Sequence, residues 1–185
     1  MLPEISLSIL DIVQNSIHAK SSLIIIEVII DRNKDNLCVK ISDNGHGMTK
    51  EQLLNVTDPF YTTRTTRRVG LGVPFLKAQT LITGGTFHID SIPLEGTTII
   101  CNYVLSHIDR MPLGDMVSTI HTLITGNTNI DFVYTYRVDE YSFTLDTKEF
   151  RAILGDIPLN NFEVSNYIKE YLFENMSEIN QNNIY

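Results

Sequence analysis

Apolar side chains recur along the chain with two different periods, and the switches between them mark the elements. Ile5, Ile9, Ile12/Val13 and Ile17 fall at helical spacing, which predicts a helix over 4–20; the β-rich run Leu23–Ile30 predicts a strand directly after it. Polar 32–36 reads as a turn and Leu37–Ser42 as a second strand. That strand ends in Asp43-Asn44-Gly45-His46-Gly47, where two glycines forbid regular structure and permit close backbone approach. Thr49 is placed to cap a short helix through Asn55. Residues 57–69 are polar, rich in Thr and Arg and without period, which predicts a long, ligand-dependent loop. Gly70-Leu71-Gly72 then opens a helix to about Ile82, and Gly84-Gly85 ends it. Strands over 86–92 and 97–105 follow, joined by the turn Pro93-Leu94-Glu95-Gly96.

After Leu105 the pattern changes. Leu113, Met116/Val117, Ile120 and Leu123/Ile124 predict an amphipathic helix closed by Gly126. Ile130–Val138 and Tyr141–Leu145 flank Asp139-Glu140 as a hairpin, and Thr147–Leu154 and Val164–Ile179 read as two more helices before a frayed tail over 180–185.

Composition narrows the class. The chain has 185 residues, 43% of them apolar and 19% charged, enough to bury a core without disulfide or metal staples. The longest apolar run, Leu23–Ile30, is interrupted by Glu27 and falls far short of the roughly 20 residues that span a bilayer. With no signal-peptide pattern at the N-terminus, the expected location is the cytoplasm, away from membranes. The net charge of -8 is unevenly placed: residues 1–105 hold 9 Lys/Arg and 10 Asp/Glu, residues 106–185 hold 5 and 12. A general nucleic-acid-binding surface is therefore not expected, and Arg64, Arg67 and Arg68 form a local basic exception. Cys38 and Cys101 each lie inside an apolar run and read as small buried hydrophobes.

Four short patterns carry chemistry. In Asp11-Ile-Val-Gln-Asn15-Ser16 the four-residue spacing puts a carboxylate and an amide one turn apart on one helix face. An amide oxygen can ligate Mg²⁺, and a carboxylate beside it can orient or deprotonate a water; taken alone, such a pair is usually just a solvated helix face. Asp43-x-Gly45-x-Gly47 after a strand can accept from the exocyclic amine of a purine, or be a plain glycine turn. Asp58-Pro59-Phe60-Tyr61-Thr62-Thr63-Arg64, followed by Gly70-Leu71-Gly72-Val73-Pro74, supplies a cation and a glycine-rich helix start suited to phosphates. In Glu95-Gly96-Thr97-Thr98 a Thr hydroxyl can reach a base or a bound water.

The ordered set NSIHA, DNGHGM, DPFYTTR, GLGVPFLK and EGTT resembles the GHKL ATP-binding superfamily over about residues 4–104, with DPFYTTR and GLGVPFLK most like the histidine-kinase catalytic domain. The resemblance implies a Bergerat fold: an α+β two-layer α/β sandwich with a mixed four-stranded core sheet and helices on one face. It implies an ATP-binding domain over 1–105, to which 106–185 adds a small acidic α/β region. It makes ATP and Mg²⁺ the expected cofactors. Asn15 would be the Mg²⁺ ligand, Asp43 the adenine anchor, and Gly45 and Gly47 the walls of the base pocket. Arg64, Gly70 and Gly72 would face the phosphates, with 57–69 as a lid, and Thr97 would support the adenine contact. Asp11 stands where hydrolytic members have Glu, so hydrolysis is expected to be slow or absent. None of His18, His46, His88, His107 or His121 sits in a phosphoacceptor context. The expected activity is regulatory: slow hydrolysis, or phosphoryl transfer to a protein partner. A non-catalytic ATP sensor and an anti-sigma-like protein serine kinase are the alternatives, and a homo-oligomer is left open. An exposed sheet edge of such a minimal domain would be covered by the C-terminal region or by a partner.

Overall fold

A computed structural model describes residues 4–58 and 72–181. The elements, in chain order, are α1 (Ile5–His18), β1 (Leu23–Asp31), β2 (Asn36–Asp43), α2 (Lys50–Asn55), α3 (Gly72–Ile82), β3 (Thr86–Ile92) and β4 (Gly96–Val104), then α4 (Met116–Gly126), β5 (Asp131–Val138), β6 (Tyr141–Asp146), α5 (Thr147–Leu154) and α6 (Phe162–Gln181). The predicted loop over 57–69 and the expected lid lie largely outside the described residues.

The strands form one six-stranded sheet in the order β3-β4-β2-β1-β5-β6. This corrects the expected four strands. β1 to β4 pair antiparallel throughout, and the mixed character enters only where β5 runs parallel beside β1, with Leu23 opposite Asp131 and Ile30 opposite Val138. β1 would otherwise leave a row of unpaired backbone groups; the C-terminal strands cover that edge. Residues 105–115 join β4 to α4, and the sheet and the core run on across them.

Alternation sorts the sheet into two faces. Ile24, Ile26 and Val28 of β1, Leu37, Val39 and Ile41 of β2, Ile99 and Cys101 of β4 and Phe132, Tyr134 and Tyr136 of β5 are buried against the helices. The other face carries the Lys40–Glu27 ion pair at 2.7 Å and the Thr135–Thr144 hydroxyl pair at 2.9 Å. The two cysteines therefore differ. Cys101 is fully buried and its thiol is pushed up to about 12 by desolvation, whereas Cys38 points to the open face and is only half-buried, contrary to the expectation for it.

Local chemistry sets the helix ends. Thr49 and Gln52 make a reciprocal capping box on α2. Asp115 accepts from the Ser118 N–H and, with Gly114 at φ +81° before it, delays α4 to Met116, three residues after the predicted start. α6 runs on to Gln181, so Asn180 is helical rather than frayed, and its Oδ1 accepts from the Tyr136 hydroxyl at 2.9 Å. The start of α1 is tied to the connection before α4: the N–H groups of Ile5 and Ser6 donate to the carbonyls of Pro112 and Leu113 at 3.0 and 2.9 Å. Glu4 Oε2 in turn accepts from the Asp115 N–H at 3.0 Å.

Candidate functional site

The C-terminal end of α1, the end of β2 and the start of β4 meet at one place. Asp43 is the last residue of β2, opposite Thr97 of β4, and both project to the helix side of the sheet. Its Oδ2 accepts from the Ser16 hydroxyl at 2.6 Å, and its Oδ1 from the Ser21 hydroxyl at 3.1 Å and the Gly45 N–H at 2.9 Å. Ser16 and Ser21 are themselves buried. The carboxylate is thus fixed by protein donors from α1, from the turn after α1 and from its own loop. An ionised carboxylate offers about four acceptor positions, so at least one is left for an outside donor. Ser21 Oγ also lies 2.7 Å from the Ser16 carbonyl, so its single proton has two acceptors to serve.

The loop after Asp43 is stitched to the α1–β1 turn. Asn44 Oδ1 accepts from the N–H groups of Ser22 and Leu23, both at 2.9 Å, and the His46 N–H donates to the Ala19 carbonyl at 2.9 Å. This accounts for the glycines. A Cβ at Gly45 would meet Ser21 Oγ at 2.7 Å and the Ala19 Cβ at 2.8 Å; Gly47 has φ +63° and its missing Cβ would strike the Ile92 carbonyl. Both glycines are therefore places where protein packs closely on protein. Opposite them, Ser91 Oγ receives the Met48 N–H at 2.9 Å and lies 2.9 Å from Thr97 Oγ1, linking the β3–β4 turn to the same loop.

Asp11 lies on the face of α1 that α3 packs against, and Asn15 follows it one turn later on the same helix. Asp11 Oδ2 fills the space a Cβ on Gly72 would need, and Ile12 packs beside it. Farther along, Ser8 Oγ lies 3.5 Å from Gln79 Oε1, so the two helices cross with Gly72 at the Asp11 level. The structure thus brings Asp43, Gly45, Gly47 and Thr97 into one cluster and sets Asp11 against Gly72, with Asn15 one turn from Asp11 and next to Ser16. Arg64 and Gly70 lie outside the described residues. His18 turns away: its Nδ1 bonds the Gln14 carbonyl of its own helix at 2.5 Å. Among the described residues no cluster of three or more His, Cys, Asp or Glu side chains is arranged for a metal ion.

Sequence reasoning missed Ser16, Ser21 and Ser91. Ser16 stood in the quoted motif without a role; its signal was its place one residue past Asn15, on the buried side of α1.

A sequence model of the family described as histidine kinase-, DNA gyrase B-, and HSP90-like ATPase matches residues 4–107. The chain belongs to this family. Membership implies ATP binding of the histidine-kinase-like ATPase type, and the matched span holds every residue of the cluster around Asp43. Among characterised proteins, the chain is 32% identical over 78 residues to the sensor histidine kinase YvrG of Bacillus subtilis (strain 168), covering 40% of this chain and 13% of that one. It is 31% identical over 97 residues to the non-motile and phage-resistance protein of Caulobacter vibrioides, covering 50% of this chain and 12% of that one. The chain therefore spans about an eighth of the length of these relatives. Among solved structures, the N-terminal domain of a DNA repair protein superposes with a TM-score of 0.57 over 83% of this chain and 57% of that one, at 14% identity. That likeness shows the fold alone, and together with the family match it identifies the Bergerat ATP-binding sandwich. Among the described residues no helix is long and apolar enough to cross a membrane.

Proposed function

We propose that this chain binds Mg·ATP at the cluster around Asp43 and acts on a partner protein, either hydrolysing ATP slowly or passing its γ-phosphoryl group to that partner. The observation that carries the reading is the carboxylate of Asp43, held by Ser16, Ser21 and Gly45 with at least one acceptor position to spare. That position suits the exocyclic amine of adenine. A guanine would present a carbonyl oxygen there, acceptor against acceptor, and be rejected.

At the other end, Gly72 opens α3, whose positive N-terminal end favours phosphates. Mg²⁺ needs few protein ligands, since it keeps waters and phosphate oxygens, and the amide oxygen of Asn15 fits as one of them. Bound Mg²⁺ would neutralise phosphate charge. Asp11, a turn away and beside Gly72, is the candidate to take a proton from an attacking water or acceptor hydroxyl as the bond from the γ-phosphorus to the β–γ bridging oxygen breaks and ADP leaves.

Calorimetric titration with ATP tests the first part. Asp43→Asn replaces an acceptor by a group that also donates, and is expected to weaken ATP binding by roughly tenfold to a hundredfold, the worth of a charge-assisted hydrogen bond; unchanged binding overturns the assignment. Labelled γ-phosphate tests the second. Release as inorganic phosphate, transfer to a partner, or retention on ATP distinguish an ATPase, a kinase and a sensor, and unchanged turnover in Asp11→Asn removes Asp11 from the chemistry.

A further inference from the structure

The contact between Asp11 and Gly72 has an electrostatic side. The Asp11 carboxylate is half-buried on α1, lies against the first residue of α3 and accepts no hydrogen bond from the described residues. Pro74, in the same first turn, has no N–H to give. A fixed negative charge is therefore seated at the positive end of a helix already short of donors, where phosphates would have to come. We propose that Asp11 is a specificity-determining counter-charge: it offsets the field of α3, makes bare polyphosphate a poor ligand, and reserves the site for nucleotide whose phosphate charge is reduced by a divalent cation. This rests on the ATP-site reading above and deepens it.

The physical expectation is specific. Two negative charges a few ångströms apart at the rim of a protein repel strongly enough to change affinity, and the penalty grows with the charge on the ligand. It falls as salt screens it. Adenosine, which carries no phosphate, should not register Asp11 at all. A role in packing alone would affect adenosine, ADP and ATP alike.

The experiment is calorimetric titration of the full chain and of Asp11→Asn with adenosine, ADP and ATP, each with excess Mg²⁺ and with the metal chelated. The expected result is equal adenosine affinity in the two proteins and tighter binding of metal-free ATP by Asp11→Asn, on the order of fivefold, with ADP between them. The gain should shrink with Mg²⁺ and in high salt. Asp11→Glu, which keeps the charge, should behave like the parent towards metal-free ATP. An equal change for all three ligands, or weaker metal-free ATP binding by Asp11→Asn, overturns the proposal while leaving the ATP site standing. Failure of the parent and both variants to bind any of the three overturns the ATP site itself, and the proposal with it.

Discussion

At Asp43, hydroxyl and amide donors from α1, the α1–β1 turn and the Gly45 loop converge on one carboxylate. Between β5, β6, α5 and α6, by contrast, rings meet edge to face: Phe143 packs on Tyr134 at 5.9 Å and on Tyr171 at 6.3 Å, and Tyr171 packs on Phe150 at 5.6 Å. The first region is defined by direction, since hydrogen bonds fix where one group points. The second is defined by filled volume, and the hydroxyls it buries find partners within it, Tyr134 at the Met176 sulfur and Tyr136 at Asn180. A polar cluster can orient a ligand and adds little net stability, whereas an apolar one stabilises and orients nothing outside itself. The two should therefore fail differently when altered.

The largest effect belongs to the apolar side. Leu172 is 0% exposed in α6, and Leu172→Ala is expected to cost about 2–5 kcal/mol in denaturant unfolding while nucleotide affinity of the folded fraction stays unchanged. If affinity falls as well, the two regions are coupled through the shared sheet. Next comes Ser16→Ala, which removes one donor from Asp43. It should loosen ATP binding by about tenfold with an unfolding loss of only about 1 kcal/mol. The reverse ordering, large stability loss with intact binding, would place Ser16 with the core. Asp115→Ala removes the cap of α4 and is expected to cost about 1 kcal/mol, read by thermal melting, with no effect on nucleotide.

The smallest effect is that of pH. His121 lies between α4 and α6, its Nε2 at 2.8 Å from the Ser165 hydroxyl, and desolvation lowers its pKa. Folding thus favours the neutral ring. Its contribution is intact above the unfolded value of about 6.5 and is lost as pH falls below it. Asp115 is lowered as well, by its hydrogen bonds to Ser118, so its share is present above its unfolded value and is lost in stronger acid as pH falls through the folded one. His121→Gln should flatten the stability profile just below the unfolded imidazole value of about 6.5, leaving the acid limb set by the carboxylates.

Much of the fold was legible because its strands alternate cleanly and its turns carry Gly, Asp or Asn, so each helix and strand among the described residues was placed from the sequence. The join between halves was legible only as one of two alternatives, an edge covered by the C-terminal region or by a partner. Whether a strand such as Ile130–Val138 begins a new unit or adds to an old sheet depends on which edge is free in space, and periodicity is silent about that. In the site, Asp43, Gly45 and Gly47 were assigned through the family resemblance, since an acid and two glycines after a strand also make a plain turn. Ser16, Ser21 and Ser91 were not, since serine is as common on a wet surface as under a buried carboxylate, and only the closed fold tells them apart.

The parallel pairing of β5 with β1 also has a consequence for how the chain is made. Residues that meet where these two strands end are far apart in synthesis: the Arg32 N–H and its acceptor, the Asp139 carboxylate, are separated by 107 positions. A ribosome therefore releases the motif-bearing half while the isoleucine-rich β1 still has one bare edge, and that edge stays open until the C-terminal hairpin emerges. The acidic half arrives later and extends a sheet that the nucleotide half has already begun.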